Sequence, residues 1–363
     1  MTEEQKQWAH GCLIEHANDM INKRVDFPPS RVDLKSINGE LWSVTGTENG
    51  QSSVARQTST LRLFQEAYKL STRPNFECVL SCEDVPRKFL NKPAFMYCTH
   101  WDETISNPNT LFPDYCFDSP TLKGRYGFPG EGDDSYEAIV ESIKQAGQTQ
   151  PLTNKVGWAG LIEHNWRRIE MLNHYNSHPD IDIIDVSWYK NSPLFDSNAT
   201  GATWPPNYIS YADQIKKWRY LLDIQGNTWS DRVKFFYFSN RLIFRINRHH
   251  DEFYDKFLTP WEHYVPVDNI QDLASKIELI KNDPKLEEHI KANAYAFANN
   301  RLTKQSVIDY IKSIIDNTDW EAKKLECLQE NLDNTNIWEQ SKLYSFDVSS
   351  YSMPGNSKFA VFK

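Results

Sequence analysis

From residue 151 onward, short apolar runs alternate with stretches of helical periodicity. The pattern predicts strands at 155–160, 181–187, 220–224, 241–246 and His263–Val267. Helices are predicted at 164–174, 211–217, 230–239, 269–281, 284–299 and 303–316, with a short one near 252–257. A loop rich in Ser, Asn and Pro fills 190–210. Strands alternating with helices imply a mainly parallel sheet covered on both faces. The first half shows the habit less cleanly. It reads as an amphipathic helix at 3–23, a short strand within 38–46, a helix at 58–71, strands Phe76–Cys82 and Ala94–Cys98, a polar Pro- and Gly-bearing stretch from Asp102 to Asp134, and a helix at 135–146. A Thr/Gln/Pro linker near 147–153 separates the halves. The expected organisation is therefore two α/β domains, 1–150 and 151–302. Helices at about 303–330 are expected to pack back on the first domain, before an irregular tail at 331–363. Ligands of such folds sit outside the carboxyl ends of the strands.

Residues 220–236, YLLDIQGNTWSDRVKFF, concentrate the signal. A buried strand runs into a loop containing Gly226, and Ser230 stands where a helix N-cap belongs. The first N–H groups of a helix lack internal acceptors, and its dipole favours an anion there. Arg232 would lie in that first turn, where a cation is disfavoured. A phosphate group would resolve the conflict.

Composition narrows the field. The chain has 363 residues, 39% hydrophobic and 25% charged, with a net charge of −9, which argues against general nucleic-acid binding. Aromatic residues make up 13%, including 12 Trp; most serve packing, and the functional alternative is stacking on sugars or bases. No apolar h-region follows the N-terminus and no run of 18 apolar residues occurs, so the expectation is a cytoplasmic protein with no membrane span. The six cysteines lack metal-type spacing, and free thiols are expected.

Asp84 follows a predicted strand and precedes Pro86, a place where α/β domains carry function; a turn-capping role is the plain alternative. Arg167 and Arg168 lie on the helix that begins near Glu163-His164 after Trp158-Ala159-Gly160, a second strand–glycine–helix unit, and two solvated surface arginines would look the same. Asp180-Ile181-Asp182 precedes an apolar run and reads as a strand start. His249-His250-Asp251-Glu252 lacks the spacing of a metal site, because adjacent histidines on one segment diverge.

Beside these readings, residues 219–267 resemble the core of glycosyltransferase family 90, the family of capsule-associated xylosyltransferases and Rumi protein O-glucosyltransferases. The matching strings are Tyr220-Leu221-Leu222-Asp223-Ile224-x-Gly226, Ser230-x-Arg232-x-Lys234, Glu252-Phe253-Tyr254 and Pro260-Trp261-x-His263-Tyr264-Val265-Pro266-Val267. Looser similarity lies at Glu83-Asp84-Val85-Pro86, at Phe112-Pro113-Asp114-Tyr115-x-Phe117, and from Trp158-Ala159-Gly160 through Arg167. The resemblance implies a GT-B fold, two Rossmann-like domains facing a cleft. It implies an inverting transfer, without a metal or other cofactor, from a UDP-sugar to a glycan or glycoprotein hydroxyl. UDP-xylose is favoured over UDP-glucose. By the same resemblance Asp84 is the catalytic base and Arg167 and Arg232 neutralise the diphosphate. Gly160, Leu161, Gly226, Asn227, Thr228, Trp229, Ser230, Asp231 and Glu252 complete the donor site, and Tyr115, Phe117 and Asp118 lie near the sugar or acceptor. Two positions depart from the family pattern: Glu83 replaces an arginine before the base, and Leu161 replaces a polar residue. These departures keep open a non-catalytic nucleotide-sugar or glycan-binding protein, and the family also leaves a protein O-glucosyltransferase as an alternative. The lack of a visible secretory signal points to a microbial or viral enzyme building a surface glycan from the cytosolic side.

Overall fold

The computed structural model describes residues 2–12, 30–45, 50–83, 92–99, 111–118, 135–162, 165–186, 209–226, 228–325 and 360–362. The chain is α/β and forms two compact units: Met1–Asp118 together with Ile308–Lys363, and Ser119–Val307. Among the described residues no helix is long and apolar enough to cross a membrane.

In the first unit, helix α1 (residues 3–12) precedes a hairpin of β1 (Arg31–Ile37) and β2 (Glu40–Thr45). Asn38 and Gly39 turn the chain with φ of 53° and 78°, the left-handed values that a two-residue hairpin turn demands. Helix α2 (Gly50–Leu70), β3 (Phe76–Ser81) and β4 (Ala94–Phe95) follow. Strand β1 pairs antiparallel with both β2 and β3, the C-terminal strand Ala360–Phe362 pairs antiparallel with β2, and β3 pairs parallel with β4. The sheet of this unit is thus mostly antiparallel and not Rossmann-like, because the Asn-Gly turn folds β2 straight back on β1. Trp320 stacks on Phe76 at 4.5 Å between ring centres, so the segment after Ile308 contributes to this unit's core.

The second unit begins with α3 (Tyr136–Gly147), then β5 (Thr153–Gly160), α4 (Trp166–Tyr175), β6 (Ile181–Asp185), α5 (Tyr211–Lys217) and β7 (Trp218–Asp223). Next come α6 (Val233–Phe236), which runs into a 3₁₀ turn at Tyr237–Ser239, then β8 (Leu242–Ile246) and β9 (Val265–Val267). Helices α7 (Leu273–Asn282), α8 (Pro284–Arg301) and α9 (Lys304–Asn317) follow, the last crossing the unit boundary. Side-chain caps start these helices where the sequence supplies them: Ser135 for α3, Asn165 for α4, Ser210 for α5 and Asp283 for α8, each worth about 1 kcal/mol. The five strands are all parallel in the order β6-β5-β7-β8-β9. Val156, Tyr220, Leu222, Phe244 and Val265 pack into one core with Met171, Ile277 and Ile290.

Two expectations shift here. The units divide near residue 118 and not at 150, because α3 packs inside the second unit. The Tyr136 ring lies 5.2 Å from that of Phe235, and its hydroxyl donates to the Leu302 carbonyl at 2.6 Å. The helix expected over 230–239 shrinks to the four residues of α6. Arg232, in αR conformation and making no side-chain cap, occupies its N-cap, and Asn240 ends the segment with φ of 53°. A single turn has little dipole to offer, so the anion site inferred from a helix N-terminus must rest on side chains instead.

Candidate functional site

The strand order places the site. From β5 the chain crosses through α4 to β6 on one side, then returns through α5 to β7 on the other side of β5. The winding therefore reverses between β5 and β7, and in parallel sheets of this kind the ligand crevice lies outside the carboxyl ends of the strands at such a point. Gly160 ends β5, and Gly226 lies three residues past β7.

Arg168 ties the two strand ends together. It lies on the inner face of α4 with Met171 and Tyr175, and it is buried. Its Nη1 donates to the Leu161 carbonyl at 2.9 Å, its Nε to that of Gln225 at 3.0 Å, and its Nη2 to that of Ile224 at 3.2 Å. The α4 cap Asn165 adds a bond from Nδ2 to the Gly226 carbonyl at 2.7 Å. Burial, and then the charge of Arg232, push the Arg168 guanidinium down to about 9, with Asp231 and Asp223 opposing. It stays charged at neutral pH.

Arg232 reaches the same place from the other strand. Its Nη1 donates to the Ala159 carbonyl, and its guanidinium carbon stands 5.3 Å from the centre of the Trp158 ring; that of Arg168 stands 5.1 Å from the same ring. Trp158 is 1% exposed. Among the described residues its Nε1 and the Nε of Arg232 are buried without a hydrogen-bond partner. Gly160 makes the space, for a Cβ there would stand 2.8 Å from Arg232 Nη2 and 2.6 Å from Trp158 Cζ2. Two like charges on one indole, with N–H groups left over, form a cradle for an anion.

The loop from β7 to α6 is tight. Gly226 N donates to the Trp229 carbonyl at 3.3 Å, and the side chains of Thr228, Trp229 and Ser230 are buried, leaving half-buried Asp231 and Arg232 at its end. Arg167 stands at the outer margin. Its Nη1 donates to the Asn247 carbonyl at 2.5 Å and its Nη2 lies 2.7 Å from His249 Nε2. His249 is exposed while His250 is buried, so the two histidines do diverge. No group of three His, Cys, Asp or Glu among the described residues stands in a metal-binding arrangement.

Beneath the loop lies a buried charge network of Asp223, Glu252 and Asp255 with Lys234, Arg245 and Arg248. Arg245 meets Asp255 at 2.6 Å and Asp223 at 3.6 Å; Arg248 meets Asp255 at 2.7 Å, Glu252 at 3.3 Å and Asp223 at 3.7 Å; Lys234 meets Glu252 at 3.6 Å. Burial disfavours the charges of Arg245 and Arg248, yet the surrounding carboxylates hold both above the ordinary guanidinium value. Glu252 accepts from the Tyr254 hydroxyl at 2.8 Å and is 2% exposed. It faces this network and not an open donor pocket.

The model of glycosyl transferase family 90 matches residues 30–324. The chain belongs to that family. Curated relatives include O-glucosyltransferase rumi of Drosophila pseudoobscura pseudoobscura, 28% identical over 111 residues, which is 30% of this chain and 27% of that protein. Protein O-glucosyltransferase 1 of Rattus norvegicus is 26% identical over 134 residues, 37% of this chain and 34% of that protein. The matched segments span about a third of the length of these relatives. Among solved structures, HepE of Anabaena in complex with UDP-glucose is similar over 48% of this chain and 43% of that chain, at 8% identity and a TM-score of 0.30.

Of the residues carried over from family 90, Gly160, Leu161, Gly226, Ser230, Asp231 and Arg232 gather at the crevice between β5 and β7, while Asp84 and Asn227 lie outside the described residues. Glu83, just before Asp84, accepts from Ser30 N at 3.1 Å. Tyr115 and Phe117 do not present an acceptor surface. Both are buried, Phe117 at 0% exposure, and the Arg56 guanidinium lies 5.0 Å from the Tyr115 ring centre. Asp118 pairs with Arg62 at 3.3 Å. These residues pack a 3₁₀ turn whose Asp114 cap bonds Cys116 N at 2.8 Å. Arg168 was not carried over from the family pattern, although its spacing to Met171 and Tyr175 marks it as inward-facing.

Proposed function

We propose that this family 90 chain is an inverting glycosyltransferase of GT-B type that moves a sugar from a UDP-sugar to an acceptor hydroxyl, with the donor diphosphate at the crevice between β5 and β7. One observation carries the reading: the guanidiniums of Arg168 and Arg232 share one buried indole at the point where the sheet winding reverses, and Arg232 keeps an unpartnered N–H. A diphosphate relieves their repulsion. The relatives' names, protein O-glucosyltransferases, favour glucose over xylose as the donor sugar and a glycoprotein acceptor over a free glycan.

In the proposed reaction Asp84 accepts the proton of the acceptor hydroxyl as its oxygen attacks the anomeric carbon, and the bond from that carbon to the β-phosphate oxygen breaks. The carbon passes through an oxocarbenium-like state, as in glycoside hydrolysis. Charge gathers on the departing UDP, where Arg232 and, at the margin, Arg167 stabilise it without reorganising. On this reading neither a metal nor another cofactor is needed.

The test combines two variants. Arg232→Gln should weaken UDP binding by about 10²-fold, the scale of losing a fixed donor to a developing anion. Asp84→Asn should lower transfer by about 10²–10⁴-fold with UDP affinity unchanged. Full transfer by Asp84→Asn refutes the base assignment, and activity lost in EDTA and restored by manganese refutes the metal-free reading. UDP binding with no transfer from any UDP-sugar would instead make the chain a nucleotide-sugar-binding protein.

A further inference from the structure

We propose that Glu252 is a positioning residue for the donor site, acting through the buried charge network on the loop that carries Arg232. The inference rests on the reading of the β5–β7 crevice as a UDP site. The network balances three carboxylates, Asp223, Glu252 and Asp255, against three cations, Lys234, Arg245 and Arg248. Asp223, Lys234 and Arg248 each belong to a segment that builds the crevice. Asp223 ends β7, just before the Ile224–Gly226 carbonyls that Arg168 and Asn165 hold. Lys234 lies two residues beyond Arg232, and its Nζ stands 4.5 Å from the ring centre of Trp229 in the same loop. Arg248 lies between Asn247 and His249, the two residues that meet Arg167, and His249 N donates to Gln225 Oε1 at 2.9 Å.

Glu252 joins the second and third of these segments. It meets Lys234 at 3.6 Å and Arg248 at 3.3 Å, and the Tyr254 hydroxyl braces it at 2.8 Å. Lys234 is 0% exposed, so its ammonium is shielded from bulk water. Removing the Glu252 charge leaves that ammonium under-compensated in a low-dielectric interior. The loop then shifts to find water or another anion, and Arg232 shifts with it. Glu252 itself is too deeply buried to touch a donor, which separates positioning from direct contact.

The experiment is UDP titration calorimetry at a temperature where circular dichroism shows each variant folded. Glu252→Gln should weaken UDP binding about tenfold. In an Arg232→Gln background the same substitution should change affinity less than twofold, because its effect passes through Arg232. A lower melting temperature with UDP affinity within twofold of wild type overturns the proposal, since a merely structural role moves only stability. An undiminished tenfold loss in the Arg232→Gln background overturns it as well. If Glu252→Gln does not fold, Glu252→Asp keeps the charge but draws it back from Lys234 and Arg248 by one methylene; UDP binding more than twofold weaker supports the proposal, and affinity within twofold of wild type overturns it. If Arg232→Gln alone leaves UDP binding intact, the site reading itself fails and takes this inference with it.

Discussion

Replacing Gly160 with alanine puts the crevice under a measurable strain. The new Cβ would stand 2.6 Å from Trp158 Cζ2, 2.8 Å from its Cη2 and 2.8 Å from Arg232 Nη2, where ordinary contact begins at 3.4 Å. The neighbours must therefore give by about 0.6–0.8 Å. Trp158 is rigid, buried and flanked by two guanidiniums, so its ring has little room to move. The end of Arg232 is the softer element, and moving it disturbs its bond to the Ala159 carbonyl. Overpacking of this kind costs about 1–3 kcal/mol of stability, roughly 2–4 °C in melting temperature per kcal/mol for a domain of this size. A hydrogen bond to a charged group is worth about 1.5–3 kcal/mol, so UDP affinity should fall about 10- to 100-fold. Differential scanning fluorimetry reads the first effect and titration calorimetry with UDP the second. A melting temperature lowered by several degrees with an unchanged UDP dissociation constant would refute the claim that Arg232 holds the diphosphate. No change in either would refute the packing argument.

Two further outcomes follow from the second unit. At Gly157 a Cβ would fall 1.7 Å from Cδ2 of Trp218, a fully buried ring that cannot yield, so Gly157→Ala should cost more than about 4 kcal/mol and lose its folded circular dichroism signal; a wild-type melt would contradict this. Burial alone would raise the Asp255 carboxyl, but Arg245 and Arg248 hold it below the usual carboxylate range, and Trp218 and Lys217 do the same for Asp182. A carboxylate whose folded value lies below its unfolded one contributes fully above about pH 4, and the contribution is lost as pH falls through the folded value. Melting temperature measured from pH 7 to 2 should therefore drop below about pH 4. Asp255→Asn should flatten part of that drop, and an unaltered slope would show that another group drives it.

The second unit is readable from sequence because its strands are short apolar runs between segments of helical period, and α5 falls at 211–217 as the pattern predicts. Where reading failed, charge or bulk disguised the signal. Strand β1 carries Arg31, Asp33 and Lys35, which look like loop residues. Arg31 and Asp33 are nonetheless buried as a pair at 3.0 Å, with Lys92 3.5 Å from Asp33. The Asn38-Gly39 turn between two alternating runs was the available clue. Ser230 looks like a helix cap, yet Phe235, Phe236, Tyr237 and Phe238 are all buried and the left-handed Asn240 ends the segment before a second turn of α-helix forms. Glu252 was carried into the donor site by a family string, yet it lies in a buried charge network. Its partners come from positions 234 and 248, and through-space charge balance leaves no local pattern in a sequence. Tyr115 and Phe117 matched a family string, which records residue identity but not which way a ring faces.

Arg168 grips the crevice entirely by main-chain oxygens, those of Leu161, Ile224 and Gln225. A peptide carbonyl is present whatever side chain it carries, so the clamp does not depend on the side chain at position 161. A lineage can keep the backbone of the site while trading the chemistry at its lip, and Leu161, apolar where the family pattern is polar, is such a trade. Divergence at position 161 therefore leaves the Arg168 clamp in place. The residue that cannot drift is the arginine, because no other side chain offers donors to three carbonyls at once from a fully buried stem.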